Sequence, residues 1–172
     1  MADGSPTTPA TVASTPSPLV PTAVALDDTV AGDEKVVGAK AANLARCAAA
    51  SLPVVAGFVL TTEGVRRGLA DNDVVGALIE MWEAAGGDDV TFVVRSSSTI
   101  EDSSTSSMAG QFTTVLDVRG REAFLAAVQE VVDSSGRVAG GDGEDHPMAV
   151  LVQRQLEPRT SGVLFGVDPV TA

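Results

Sequence analysis

The sequence predicts an α+β domain with a mixed, largely antiparallel sheet and flanking helices, behind a disordered N-terminal tail. Three observations predict it. Apolar residues recur at helical spacing in several stretches, and short apolar runs of strand length lie between them. The two patterns mix without the strict β-α-β alternation that a parallel sheet requires. The first 23 residues differ from the rest: they are mostly Ala, Ser, Thr and Pro, and five of the chain's nine prolines fall within them. Such a segment cannot bury enough apolar surface to offset its ordering entropy. The expected division is therefore a tail over 1–23 and a folded lobe over 24–172.

Within the lobe, AVALDD reads as a strand end and AGDEKV as a polar turn. Gly38 to Ser51 is rich in Ala and Leu and lacks proline, which favours helix; Pro53 ends it. GFVLTT is a short strand that runs into a Thr62 N-cap and a helix over Glu63 to Leu69. Asp71 or Asp73 caps a further helix with Val74, Val75, Leu78, Ile79 and Trp82 on one face, and Gly86-Gly87 stops it. Val90 to Val94 is a buried strand, and Gln111 to Val118 alternates as another. Arg121 to Ser135 is amphipathic, with Phe124, Leu125, Val128, Val131 and Val132 together. Ala139 to Pro147 is an acidic turn without the ligand spacing of an EF-hand, so it reads as a solvated loop. Met148 to Leu156 and Ser161 to Val170 are the last two strands.

The chain has 172 residues, 44% of them hydrophobic, enough for one domain with a core. It carries 23 acidic and 11 basic residues, a net charge of −12. That balance repels nucleic acid and anionic membrane, so neither is an expected partner. An anionic ligand must then be held by a few placed cations, and the only lysines are Lys35 and Lys40. Cys47 has no partner for a disulfide, which fits a reducing compartment, and its Ala-rich helix makes it a core residue. No apolar run approaches the roughly 20 residues of a membrane span. The start lacks the basic and apolar regions of a signal peptide, so the cytoplasm is the expected location.

One stretch stands apart. Val94 to Gln111, VRSSSTIEDSSTSSMAGQ, follows a strand with an arginine, Arg95, and then a run of hydroxyls ending in Ala-Gly. Backbone N–H groups, hydroxyls and a guanidinium with little bulk suit a polyphosphate. The same composition also suits a flexible connector.

The order of residues resolves more. VVGAKAANLARCAAASLPVVAGFVLTTEG, the arginine-serine stretch and MAVLVQRQLEPRTSGVLFGVDPVT occur in sequence and cover about Val24 to Thr171. These three blocks resemble the nucleotide-binding domain of phosphoenolpyruvate synthase, pyruvate phosphate dikinase and rifampin phosphotransferase. The Glu-Asp form of the second block is more similar to the synthase and rifampin enzymes. The resemblance implies an ATP-grasp-like N-terminal lobe that binds ATP with magnesium. In that family a histidine on a swinging domain takes the phosphate and passes it to a small acceptor. Matched by position, Lys40 contacts the nucleotide phosphates and Arg95 lies at the phosphate end. Gly110 and Thr114 lie in the loop and strand that close over the phosphates, and Gln153 ends the strand bordering adenine. No residue of this chain is matched to a catalytic or magnesium-ligating role. The acidic residue and glutamine that hold magnesium, a further arginine and the phosphohistidine domain are expected outside it, in a longer chain or a second subunit.

Residue chemistry fits these assignments. Lys40 is a compact cation near a helix N-terminus, Arg95 a planar fork for two phosphate oxygens, and Gly110 lets backbone approach a ligand. The bland alternatives are a solvated lysine, an arginine paired with Glu101 or Asp102, a turn glycine and a glutamine satisfying a sheet edge. Glu101 and Asp102 read as pinning the loop, and His146, followed by proline, as a surface residue. Ala39 and Ala41 replace two family glycines, which puts close phosphate approach there in question, and Gly166 replaces a usual Thr or Ser. Two functions remain: the ATP-binding lobe of a phosphotransferase, not active as this chain alone, or a catalytically incomplete ATP-grasp-like module kept for ligand binding or protein interaction.

Overall fold

The computed structural model describes residues 20–99, 113–138 and 147–162. Gly110, Glu101, Asp102, His146, Gly166 and most of the strand expected over 161–170 lie outside the described residues. Among the described residues five strands form one sheet: β1 (Ala23–Ala25), β2 (Gly57–Leu60), β3 (Phe92–Ser98), β4 (Thr114–Val118) and β5 (Met148–Arg154). Their order is β1-β2-β5-β3-β4, so the last of the described strands enters the middle of the sheet. Among the described residues every pairing is antiparallel, in keeping with the largely antiparallel sheet expected. The central position of β5 explains its composition: six of its seven residues are buried, and only Arg154 is exposed.

Four α-helices among the described residues flank the sheet: α1 (Glu34–Ala49), α2 (Thr62–Arg67), α3 (Asn72–Ala84) and α4 (Arg121–Val138). Three of them begin at side-chain caps. Asp33, Thr61 and Asp71 accept hydrogen bonds from the main-chain N–H groups of Lys35, Gly64 and Asp73. The second helix therefore caps at Thr61 rather than Thr62. Thr61 can hold the cap because it is fully buried, and its hydroxyl also donates to the carbonyl of Pro21 at 2.8 Å. At the other end of α3, the Arg154 guanidinium donates to the Ala85 carbonyl, which the helix leaves without an internal partner.

Each face of the sheet has its own core. Phe58, Leu60, Phe92, Val94, Val150 and Val152 meet α3 and α4 on one face. There Trp82 stacks on Phe124 at 5.9 Å between ring centroids, and Phe58 meets Phe124 edge-on at 6.1 Å. On the other face α1 lays Val37, Ala41, Ala42 and Ala45 on Val24, Val59, Ala149 and Leu151. Small alanines let the helix approach the sheet closely. Cys47, expected in this core, is only half-buried.

Two boundaries differ from the sequence pattern in ways that matter for the site. First, α1 begins at Glu34, four residues before the alanine-rich run, and bends at Gly38, whose φ of 75° and ψ of 163° are not helical. The polar Asp33-Glu34-Lys35 segment is a capped first turn, not a free turn. Second, β3 continues past Arg95 to Ser98, so Ser96, Ser97 and Ser98 are buried strand residues, not loop. No helix among the described residues is long and apolar enough to cross a membrane.

Candidate functional site

Strand register decides which way Arg95 faces. It stands directly opposite Thr114 of β4 on one side and Leu151 of β5 on the other. Directly opposed residues share a sheet face. Leu151 lies in the core beneath α1, so Arg95 and Thr114 emerge on the α1 face. The core beneath α1 takes residues from β1, β2 and β5 but none from β3 or β4. Over those two strands Val93 and Arg95 are half-buried and Thr114 is exposed. A stretch of sheet with an arginine at its centre is thus left beside the helix.

Lys40 reaches this stretch from α1. Its ammonium donates to the main-chain carbonyl of Ser96 at 2.7 Å, at the residue immediately after Arg95. The bend at Gly38 makes this possible. A Cβ built on Gly38 would lie 2.0 Å from the Ser97 carbonyl oxygen, so only glycine lets helix and strand come this close. The helical segment after the bend starts afresh, and the hydroxyl of Ser97 accepts from the Ala41 N–H at 3.0 Å. A helix start and an ammonium are therefore fixed against the second half of β3, on the sheet face that also carries Arg95. All three favour negative charge, and the guanidinium adds a planar fork that matches two oxygens of a phosphate.

The structure brings Lys40, Arg95 and Thr114 together. It sets Gln153 apart by one pleat repeat, since Gln153 pairs with Val93 rather than Arg95. Gln153 is buried, and its amide nitrogen donates to the Val55 carbonyl at 2.8 Å, tying the α1–β2 connection to the central strand. Gly57 stands opposite Gln153, and a Cβ there would meet the Val152 carbonyl oxygen at 2.2 Å. Ala39 and Ala41 are both buried, and Ala41 packs in the α1 core.

Ser96, Ser97 and Gly38 were not singled out from the sequence. Their signal was present: period-two alternation from Val93 through Arg95 puts Ser97 on the same face. Among the described residues no group of three acidic, histidine or cysteine side chains converges as a metal site. Cavities of about 570 and 690 Å³ open beside Lys35 and Pro147, and neither is lined by the four described site residues.

The chain is similar in sequence to known proteins. The chain is 40% identical over 107 residues to a rifampicin phosphotransferase of a Streptomyces species, covering 58% of this chain and 12% of that protein. It is 32% identical over 165 residues to YvkC, an uncharacterized phosphotransferase of Bacillus subtilis, covering 80% of this chain and 20% of the relative. A phosphoenolpyruvate synthase of Aeropyrum pernix is 28% identical over 188 residues, covering 79% of this chain and 23% of the synthase. The chain thus spans between about an eighth and a quarter of the length of these relatives. Residues 71–172, more than half of the chain, match the model of the pyruvate phosphate dikinase AMP/ATP-binding domain. The chain belongs to that family, as part of the N-terminal nucleotide-binding domain found in phosphoenolpyruvate synthases and rifampicin phosphotransferases.

Proposed function

We infer that the chain is the ATP-binding lobe of a phosphoenolpyruvate synthase- or rifampin phosphotransferase-type enzyme with an ATP-grasp-like site. It holds the phosphates of ATP for transfer to a histidine on another domain or chain. One observation carries this reading: the Lys40 ammonium is fixed at the residue after Arg95, on sheet that α1 leaves uncovered. Phosphoryl transfer asks mainly for positioning and charge neutralisation, and two adjacent cations supply both. Thr114, opposite Arg95, adds a hydroxyl, Gly110 belongs to the loop that closes over the phosphates, and Gln153 supports the adenine end. Magnesium comes with ATP, on ligands outside the chain. Such an enzyme works in the cytoplasm, where ATP is abundant.

A second reading, a catalytically incomplete module kept for ligand binding or protein contact, is favoured by Leu116. This residue of β4, two positions from Thr114, is 60% exposed. Titration of ATP and of adenosine, followed by NMR shifts, separates the two. The first reading expects ATP to bind with a dissociation constant on the order of 0.1–1 mM, since one lobe supplies only part of a cleft. It also expects shifts around Lys40 and Arg95 that adenosine does not cause. Equal shifts from both ligands, unchanged in Arg95→Ala, leave the second reading standing.

A further inference from the structure

We propose that Ser97 is a positioning residue for the phosphate end of the site: its hydroxyl locks the start of the bent α1 segment onto β3 and so fixes Lys40 beside Arg95. The proposal rests on the nucleotide reading above for its purpose, while the lock itself rests on geometry alone. Three contacts converge within a few residues. The Ser97 hydroxyl accepts from the buried Ala41 N–H at 3.0 Å. The Ser97 carbonyl fills the space where a side chain of residue 38 would stand, which keeps the helix bend on the strand. The neighbouring Ser96 carbonyl accepts from the Lys40 ammonium at 2.7 Å.

The physical logic is one of register. A lysine side chain has four rotatable bonds, and on a free helix its ammonium would sweep a wide volume. Here the helix carrying it starts beside the strand carrying the arginine. The first turn after Gly38 cannot slide or rotate on β3 without breaking the Ser97–Ala41 bond. Ser97 is fully buried, so water cannot replace that bond cheaply. It touches no ligand in this scheme and acts only through the placement of Lys40. Its neighbours Ser96 and Ser98 alternate onto the opposite face, and the Ser96 hydroxyl has no hydrogen-bond partner. Of the three serines, Ser97 alone has its hydroxyl on the α1 main chain among the contacts described.

The test uses the fact that the chain has only two lysines. In the full 172-residue protein, acetylation by acetic anhydride is followed by mass spectrometry at Lys40, with exposed Lys35 as internal reference. The lock predicts that wild-type Lys40 reacts about tenfold more slowly than Lys35, as a charged-group hydrogen bond in a half-buried site implies. In Ser97→Ala the ratio narrows severalfold, and ATP affinity falls about tenfold while adenosine binding is unchanged. Ser134→Ala, which removes another buried hydroxyl bond on α4, lowers the melting temperature but moves neither readout. Equal reactivity of the two lysines in the wild type overturns the proposal without any variant. An unchanged lysine ratio in a folded Ser97→Ala does the same, and Ser97→Cys serves if the alanine variant does not fold. If wild-type ATP and adenosine bind alike, the nucleotide reading fails, and the lysine ratio still decides whether Ser97 is the lock.

Discussion

The ammonium of Lys40 lies 2.7 Å from the main-chain oxygen of Ser96, so the lysine delivers its charge at the residue next to Arg95. The two cations are unequal partners. Arg95 offers a rigid fork, while Lys40 already spends a donor on the strand carbonyl. Arg95→Ala should therefore weaken ATP binding about tenfold or more, about 1.4 kcal/mol, and Lys40→Ala should cost less. Raising the salt concentration should weaken wild type and Lys40→Ala alike, because the remaining contacts are ionic. Calorimetric or NMR titration at two ionic strengths checks the order; a larger loss from Lys40→Ala would reverse the assignment.

Gly38 is where helix and strand meet. Gly38→Ala places a methyl group 2.0 Å from the Ser97 carbonyl oxygen at a φ of 75°, which combines a backbone clash with left-handed strain. The expected cost is on the order of 3 kcal/mol or more, read as a fall in the denaturation midpoint. A variant as stable as wild type would mean that the bend relaxes freely.

Phe124 connects the aromatic core, stacked on Trp82 and edge-on to Phe58, with no exposed surface. Phe124→Ala should cost about 3–5 kcal/mol through lost burial and the cavity left behind. That amounts to a melting temperature roughly 10 °C lower for a chain of this size. A shift of only a few degrees would show that the core collapses into the gap.

Asp71 gives a pH signature. Its carboxylate accepts from Arg67 and caps α3 through the Asp73 N–H, and the Arg67 guanidinium, first, then the cap, holds its pKa below the ordinary aspartate value. A carboxylate with a lowered folded pKa adds stability above its unfolded pKa and loses it as pH falls through the folded one. Asp71→Asn keeps a capping side chain but cannot titrate. Wild type should therefore melt above Asp71→Asn at neutral pH, and the gap should close as pH drops below the usual carboxylate range. A gap that is constant with pH would assign the difference to the cap alone.

Much of this was legible in the sequence. Periodicity located α3 and α4 and their buried faces, because amphipathic spacing survives in any fold that buries one side of a helix. The family blocks pointed to Lys40 and Arg95, and the fold brings the Lys40 ammonium to the residue after Arg95. What could not be read was the course of the three serines. Hydroxyls flanked by more hydroxyls carry no apolar signal, yet Ser96 to Ser98 are buried because β5 and β3 zip along their whole length. The start of α1 was hidden for a related reason: Gly38 interrupts a run that caps correctly at Asp33. Gln153 was expected at the adenine end, and its hydrogen bond to Val55 depends on a loop whose path no local pattern encodes.

On the proposed reading the 172-residue chain should release no ADP above background from ATP and magnesium, since the resemblance assigns no residue of it a metal-holding role. Transfer depends on that metal to neutralise developing charge. Magnesium-dependent ADP release that disappears in Arg95→Ala would refute this and assign the chain a complete active site.

Trp82 is the protein's only tryptophan, and the sequence contains no tyrosine. Its indole lies against Phe124 on the sheet face opposite α1, with its N–H buried and unpartnered. The molecule therefore carries one tryptophan fluorophore, buried, and separated from Lys40 and Arg95 by the thickness of a β-sheet. Its emission colour reports whether the α3–α4 side is folded and is insulated from what occupies the other face. For the Lys40, Arg95 and Ser97 variants, a single spectrum can distinguish a protein that has lost its ligand contact from one that has lost its structure.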